Sequence, residues 1–152
     1  IEYCKKKNEQ NKLIYQINIE NAKKVDEKAQ YVIGYMYHKG KGVPKNYVKA
    51  ADWYKKAAEH KNTKALNNLA YLYQKGKGVN KDIHKAEQLL LKSAKQGDDV
   101  ACLNLGILYQ TGKLGTANME DAEYWYRKAM DKGNPTATRI YRRIQSMEQK
   151  EN

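Results

Sequence analysis

The residues best suited to catalysis or metal binding are three histidines and two cysteines, and their spacing argues against both. His38, His60 and His84 occupy different structural positions in the sequence, and neither Cys4 nor Cys102 stands at ligand spacing from any of them. A structural zinc site draws four such side chains from closely spaced pairs, so no metal centre is expected. Two lone cysteines make no disulfide framework and leave the redox compartment open. Neither a G-x-S-x-G elbow nor an H-E-x-x-H helix occurs. Two KGKGV turns, at 39–43 and 75–79, invite comparison with a phosphate-cradling loop. That loop needs a hydroxyl residue after its lysine and joins a strand to a helix, and here no hydroxyl follows. The chain therefore reads as non-catalytic and without a cofactor.

Lysine and tyrosine are what the chain has in quantity. Its 152 residues carry 29 Lys and Arg against 17 Asp and Glu, a formal net charge of +12, with thirteen Tyr and no Phe. Such a field favours encounter with an acidic surface, an anionic peptide, nucleic acid or anionic lipid. It is unevenly spread. Residues 26–61 hold eight basic and four acidic side chains, residues 62–97 seven and two, and residues 98–133 four and six. No apolar run is long enough to span a membrane.

A repeat must position these side chains. Shifted by thirty-six residues, the stretch 26–61 returns as 62–97 and again as 98–133. Ala29, Ala65, Ala101 and Ala137 keep this register, as do Tyr37, Tyr73 and Tyr109. Asp26, Asn62, Asp98 and Asn134 form one series of helix N-caps, and Asn46, Asp82 and Asn118 a second. Each unit is thus two helices, about 27–39 (helix A) and 47–60 (helix B) in the first. Ala29, Ile33, Gly34 and Tyr37 form the apolar face of helix A; Ala50, Trp53, Tyr54 and Ala57 form that of helix B. Gly34, Ala70 and Gly106, facing Ala50, Ala86 and Ala122, are expected to let two helix backbones approach closely.

The ends depart from the repeat. Residues 1–25 read as a capping segment, poorly ordered or frayed over 1–9, with a degenerate helix B beyond. Residues 134–152 read as a last helix A, with Ala137, Ile140, Tyr141, Ile144 and Met147 inward and Arg139, Arg142 and Arg143 exposed. A solenoid needs such atypical units to cover the apolar ends of its stack. The whole is expected to be one domain. The sequence begins at Ile1, compatible with a removed signal peptide or an unseen leader, and the expectation leans to a periplasmic or secreted bacterial protein.

The motifs L/I-G-x-x-Y, G-x-G-V and A-x-x-W-Y-x-K-A-A recur at fixed offsets from Asp26 to Tyr141. In them the chain resembles the Sel-one-like repeat family, a relative of the tetratricopeptide repeat. Repeat two departs from the pattern at Leu89 and Leu90, where Trp-Tyr is usual, and at Ala70 in place of glycine. The resemblance implies an all-α, right-handed superhelix of antiparallel helix pairs, with the A helices lining a concave groove. On that expectation the partner-binding positions are Lys28, Tyr31, Tyr35, His38 and Lys39 in repeat one. Repeat two offers Lys64, Asn67, Tyr71, Gln74 and Lys75, and repeat three Leu103, Ile107 and Gln110. These positions differ between repeats while the packing positions stay fixed. Tyr35 and Tyr71 are not needed for a core already served by Tyr37 and Tyr73; the alternative is that they shield neighbouring helices.

The resemblance implies a protein-interaction module, an adaptor or an inhibitor (immunity) protein, binding an acidic or aromatic segment of a partner such as a bacterial effector. A monomer is expected. RNA binding by a helical repeat is the competing class, and binding of cell-wall fragments a third.

Overall fold

The computed structural model describes residues 1–151, without the side chain of residue 151. Its described residues form eight α-helices, in two compact units divided between Asp82 and Ile83. The first unit holds α1 (Glu2–Lys23), α2 (Glu27–Lys39), α3 (Tyr47–Glu59) and α4 (Thr63–Lys75). The second holds α5 (Ile83–Lys95), α6 (Asp99–Gln110), α7 (Met119–Asp131) and α8 (Pro135–Glu151). Within each unit, consecutive helices pack on one another. This is an all-α helical-repeat fold of the solenoid class, with α2, α4, α6 and α8 as A helices and α3, α5 and α7 as B helices.

Six of the expected side-chain caps stand where the sequence places them. Asp26 accepts from the backbone N–H groups of Lys28 and Ala29, Asn46 from Lys49, Asn62 from Ala65, Asp98 from Ala101 and Asn118 from Asp121. Asn134 accepts from Ala137 at 2.9 Å while its own amide donates to Asp99 at 2.8 Å. Each cap satisfies a donor that the first turn leaves orphaned.

The first helix is longer than a degenerate helix B. It runs 22 residues, against 13 in α3. Nothing in residues 2–23 breaks it: there is no Gly or Pro, Glu2 sits in the first turn, and Lys6 pairs with Glu2 at 3.2 Å. Its inward side meets α2. Tyr15 shares a hydrogen bond with Tyr37 at 3.0 Å, edge to face, beside the core of Ala22, Ala29, Ile33 and Met36. Tyr109 of α6 makes the same reach in the second unit, donating to Glu87 of α5. Met147 of α8 corrects an inward expectation. It is 57 % exposed and rims an open pocket rather than a core.

Gly34 and Gly106 make room for a ring, and Gly34 also lets the α3 backbone approach, since an added Cβ would lie 3.3 Å from the Ala50 carbonyl oxygen. A Cβ on Gly34 would lie 2.7 Å from the ring of Tyr54, and one on Gly106 2.6 Å from the ring of Tyr126. Each glycine makes the seat for a helix B tyrosine whose side chain is fully buried. At the two corresponding registers, repeat two carries Ala70 and Leu90, so a larger residue on helix A accompanies a smaller one on helix B. On α8 the same register holds Arg142, which offers no such seat.

A second recurring position is left-handed. Val25, Lys61, Gly97 and Gly133 are one period apart, lie between a B helix and the next A helix, and have φ of 67°, 60°, 88° and 86°. The conformation suits glycine and strains valine most, because its branched Cβ crowds the backbone. Val25→Gly is therefore expected to stabilise the first unit by about 1 kcal/mol, the strain relieved exceeding the entropy that glycine adds to the unfolded chain. Thermal unfolding checks this; a melting temperature lowered by the change would contradict it.

Candidate site: an aromatic and lysine-rich face of the first unit

Of 29 basic and 17 acidic side chains, the first unit holds eighteen and eight, so most of the net charge lies there. In this unit the A helices α2 and α4, helix B α3 and two connecting turns bring tyrosine, histidine and lysine residues into one cluster of rings and ammonium groups. Tyr31 and Tyr35, one turn apart on α2, have ring centroids 6.2 Å apart. Tyr31 stacks on Tyr54 at 6.0 Å, Tyr54 meets His38 edge to face at 6.0 Å, and His38 stacks on Tyr71 of α4 at 5.8 Å. Tyr47, the first residue of α3, meets the other side of this chain of rings through His38 at 5.6 Å.

Tyr54 holds the cluster together. Its ring fills the seat made by Gly34, and its hydroxyl accepts from the Asn68 amide at 3.3 Å. The hydroxyl also shares a hydrogen bond with Nδ1 of His38, 3.1 Å away. Burial pushes the Tyr54 phenol far above its ordinary range and the Tyr31 phenol upward. Burial also lowers the His38 pKa, and the positive charges of Lys39, Lys45 and Lys77 lower it further.

Lysines cover the rings. Lys41 lies 5.0 Å and Lys39 6.0 Å from the Tyr35 centroid, and Lys64 5.9 Å from that of Tyr31. Lys45 and Lys77 lie 5.1 and 5.3 Å from the Tyr47 centroid. Lys77 also donates to the Tyr71 hydroxyl at 3.3 Å. Among the described residues, none of these five lysines is ion-paired; ion pairs instead join Lys6 to Glu2, Lys23 to Glu20 and His84 to Glu87. Cations held over aromatic faces with no carboxylate partner keep their charge available to a ligand.

Gly78 sets the position of Lys77. It has φ of 71°, and a Cβ there would lie within van der Waals overlap of the Tyr47 backbone. Only glycine lets the turn after α4 lie on the start of α3, which places the adjoining lysine over Tyr47 and Tyr71. The KGKG turn thus has a structural glycine and a lysine that faces the site.

The sequence-predicted residues divide into three groups. Tyr31, Tyr35, His38, Lys39, Lys64 and Tyr71 are in the cluster. His38 is only 8 % exposed, so it supports the face from behind, whereas Tyr71 is 38 % exposed and Tyr31 and Tyr35 are half-buried. Lys28 and Lys75 are exposed and cover no ring; Asn67 and Gln74 are half-buried on α4. Leu103, Ile107 and Gln110 belong to the second unit. There Ile107 and Gln110 help line an open, largely apolar pocket of about 370 Å³ with Tyr126, Ile140, Arg143, Ile144 and Met147. Leu103 is half-buried and outside it. Gln110 accepts from the Tyr126 hydroxyl at 2.5 Å, the role His38 fills for Tyr54.

Sequence reasoning missed Lys41, Lys45, Tyr47 and Lys77, which lie in the turns or at the first position of α3. A signal existed: Lys41, Lys77 and Lys113 recur one period apart, a regularity that a turn glycine alone does not require. Among the described residues no three His, Cys, Asp or Glu side chains gather as a metal site, and no helix is long and apolar enough to cross a membrane.

The depressed pKa of His38 has a consequence for stability. Its proton is bound more weakly in the folded than in the unfolded chain. The stabilisation is complete above the ordinary histidine value near 6.5 and is lost as pH falls through the lower folded value. The first unit is therefore expected to melt lower at about pH 5.5 than at about pH 7.5. His38→Gln should narrow that difference, because glutamine holds the equivalent tyrosine hydroxyl in repeat three. An unchanged pH profile of melting in this variant would refute the assignment.

The Sel1 repeat profile matches the chain three times, at residues 27–62, 63–98 and 99–134. A Sel1 repeat protein from Oxalobacter formigenes is 36 % identical, with a TM-score of 0.72 over 76 % of this chain and 47 % of its own. A protective antigen of uropathogenic Escherichia coli strains, displaying an SLR fold, is 30 % identical, with a TM-score of 0.77 over 84 % of this chain and 27 % of its own. Cysteine rich protein B of Helicobacter pylori is 26 % identical, with a TM-score of 0.69 over 85 % and 96 %. The chain thus spans about half and about a quarter of the first two structures it resembles. No curated protein matches it.

Proposed function

The chain belongs to the Sel1 repeat family, whose repeats generally serve as protein–protein interaction modules, and on that premise we propose that it binds an acidic, aromatic-anchored segment of another protein. The contact surface in this reading is the face of Tyr31, Tyr35, Tyr47 and Tyr71. The observation that carries it is the set of lysines held over those rings with no carboxylate of their own. Carboxylates on the partner supply the missing charge, and an apolar or aromatic side chain finds ring surface between the ammonium groups. The role is that of an adaptor or inhibitor rather than a catalyst.

Rim charges act mainly on the rate of encounter, and salt screens them. Lys41→Glu with Lys64→Glu is therefore expected to slow association by about tenfold at low ionic strength, with little change in dissociation. Stopped-flow binding of a fluorescein-labelled peptide, Glu-Glu-Tyr-Glu-Glu-Leu-Glu-Glu, at two salt concentrations measures both. The same peptide with Gln for every Glu should bind weakly and without salt dependence. Equal binding of the two peptides would remove the acidic-partner reading.

A further inference from the structure

His38 is the one titratable group inside the cluster with an ordinary pKa near neutrality, and its surroundings determine what a bound carboxylate would do to it. Lys39 adjoins it on α2. Lys45 approaches from the connection after α2 and Lys77 from the turn after α4. Tyr47 and Tyr54 face it from α3 and Tyr71 from α4. Every one of these neighbours that carries charge near neutral pH is positive. Lys45 and Lys77 also converge on one ring, that of Tyr47, which is one of the three rings that meet His38.

Resting on the partner-binding reading above, we propose that Lys45 and Lys77, gathered at Tyr47, form the seat for a carboxylate of the partner, and that His38 behind that ring takes up a proton as the seat fills. The chemistry is charge balance. In the free protein the lysines and a dry environment oppose the imidazolium. A seated carboxylate offsets the lysines' field and adds an attractive charge of its own, so the imidazolium becomes easier to form. By linkage the converse holds: a protonated His38 tightens the complex. Affinity then rises as pH falls from the bound-state to the free-state pKa of His38, and levels off below it. A rise of about one unit in that pKa on binding corresponds to a roughly tenfold change in affinity across the window.

Repeats two and three supply the control substitution. At the register of His38 they carry Gln74 and Gln110, and Gln110 accepts from the hydroxyl of Tyr126 where His38 hydrogen-bonds that of Tyr54. His38→Gln therefore keeps the buried hydrogen bond while removing the titration.

The test follows the imidazole signals of His38 by NMR between about pH 5 and 8, in the free protein and at saturation with the glutamate peptide named above. His38 is expected to titrate below the ordinary histidine value in the free protein and to move upward with peptide. Peptide affinity should be about threefold or more higher at pH 5.5 than at pH 8, and this pH dependence should vanish in His38→Gln. Lys45→Gln with Lys77→Gln should abolish the peptide-induced shift of His38. If the signals of Tyr47 and Tyr71 move on binding but the His38 midpoint does not, the seat and its proton coupling are wrong while the partner-binding reading survives. If His38→Gln keeps the full pH dependence, the coupling is again wrong. If no ring of the cluster responds to the peptide, the partner-binding reading falls and this inference with it.

Discussion

Replacing Tyr35 and Tyr71 together by alanine is expected to weaken binding of the acidic peptide by about 2 kcal/mol, roughly thirtyfold, chiefly through faster dissociation. The two rings differ in setting and share a function. Tyr35 stands at the outer end of the ring chain under Lys41 and Lys39, and Tyr71 stacks on His38 under Lys77. Each offers apolar surface already ordered by its neighbours, so little entropy is lost when a partner settles on it. Both are partly exposed and neither is in the buried core. Stability should therefore change by less than about 1 kcal/mol. A double variant that binds as wild type, or one that fails only because it unfolds, would contradict this account of the rings.

The second large effect is expected where ring and glycine meet. Gly106→Ala places a Cβ 2.6 Å from two carbons of the buried Tyr126 ring, a contact that something must give way to relieve. Overpacking of this kind costs about 1–3 kcal/mol. Tyr126→Leu alone loses ring area and the bond to Gln110, whose side chain is exposed and regains water. The two changes together reproduce the Ala70 and Leu90 pair of repeat two, so the double variant should be more stable than the sum of the single effects by about 1 kcal/mol or more. Chemical denaturation of the four proteins gives the coupling. Strict additivity would mean that the glycine does not seat the tyrosine.

The repeat is legible in the sequence because its determinants are local. A cap needs only an Asp or Asn at the right step, and Asp26, Asn46, Asn62, Asp98, Asn118 and Asn134 all act through their own first turn. The face is half legible. Tyr31, Tyr35 and Tyr71 can be placed on A helices by spacing alone, since helical periodicity separates them from Tyr37 and Tyr73. Lys45, Tyr47 and Lys77 cannot, because their meeting depends on a turn folding back across the start of α3. The purpose of Gly34 escapes the sequence for a related reason: spacing shows that a small residue faces helix B, not which side chain fills the space. His38 resembles a groove residue by register, and only the hydroxyl of Tyr54 turns it inward.

Backbone and tyrosine-ring chemical shifts, mapped while the glutamate peptide is titrated into isotopically labelled protein, test the central claim most directly. Shifts are expected to concentrate on Tyr31, Tyr35, His38, Tyr47, Tyr71 and Lys77, to saturate together, and to disappear with the glutamine peptide. Shifts confined to the pocket of Ile107, Ile144 and Met147 in the second unit, or spread evenly over exposed lysines, would contradict it.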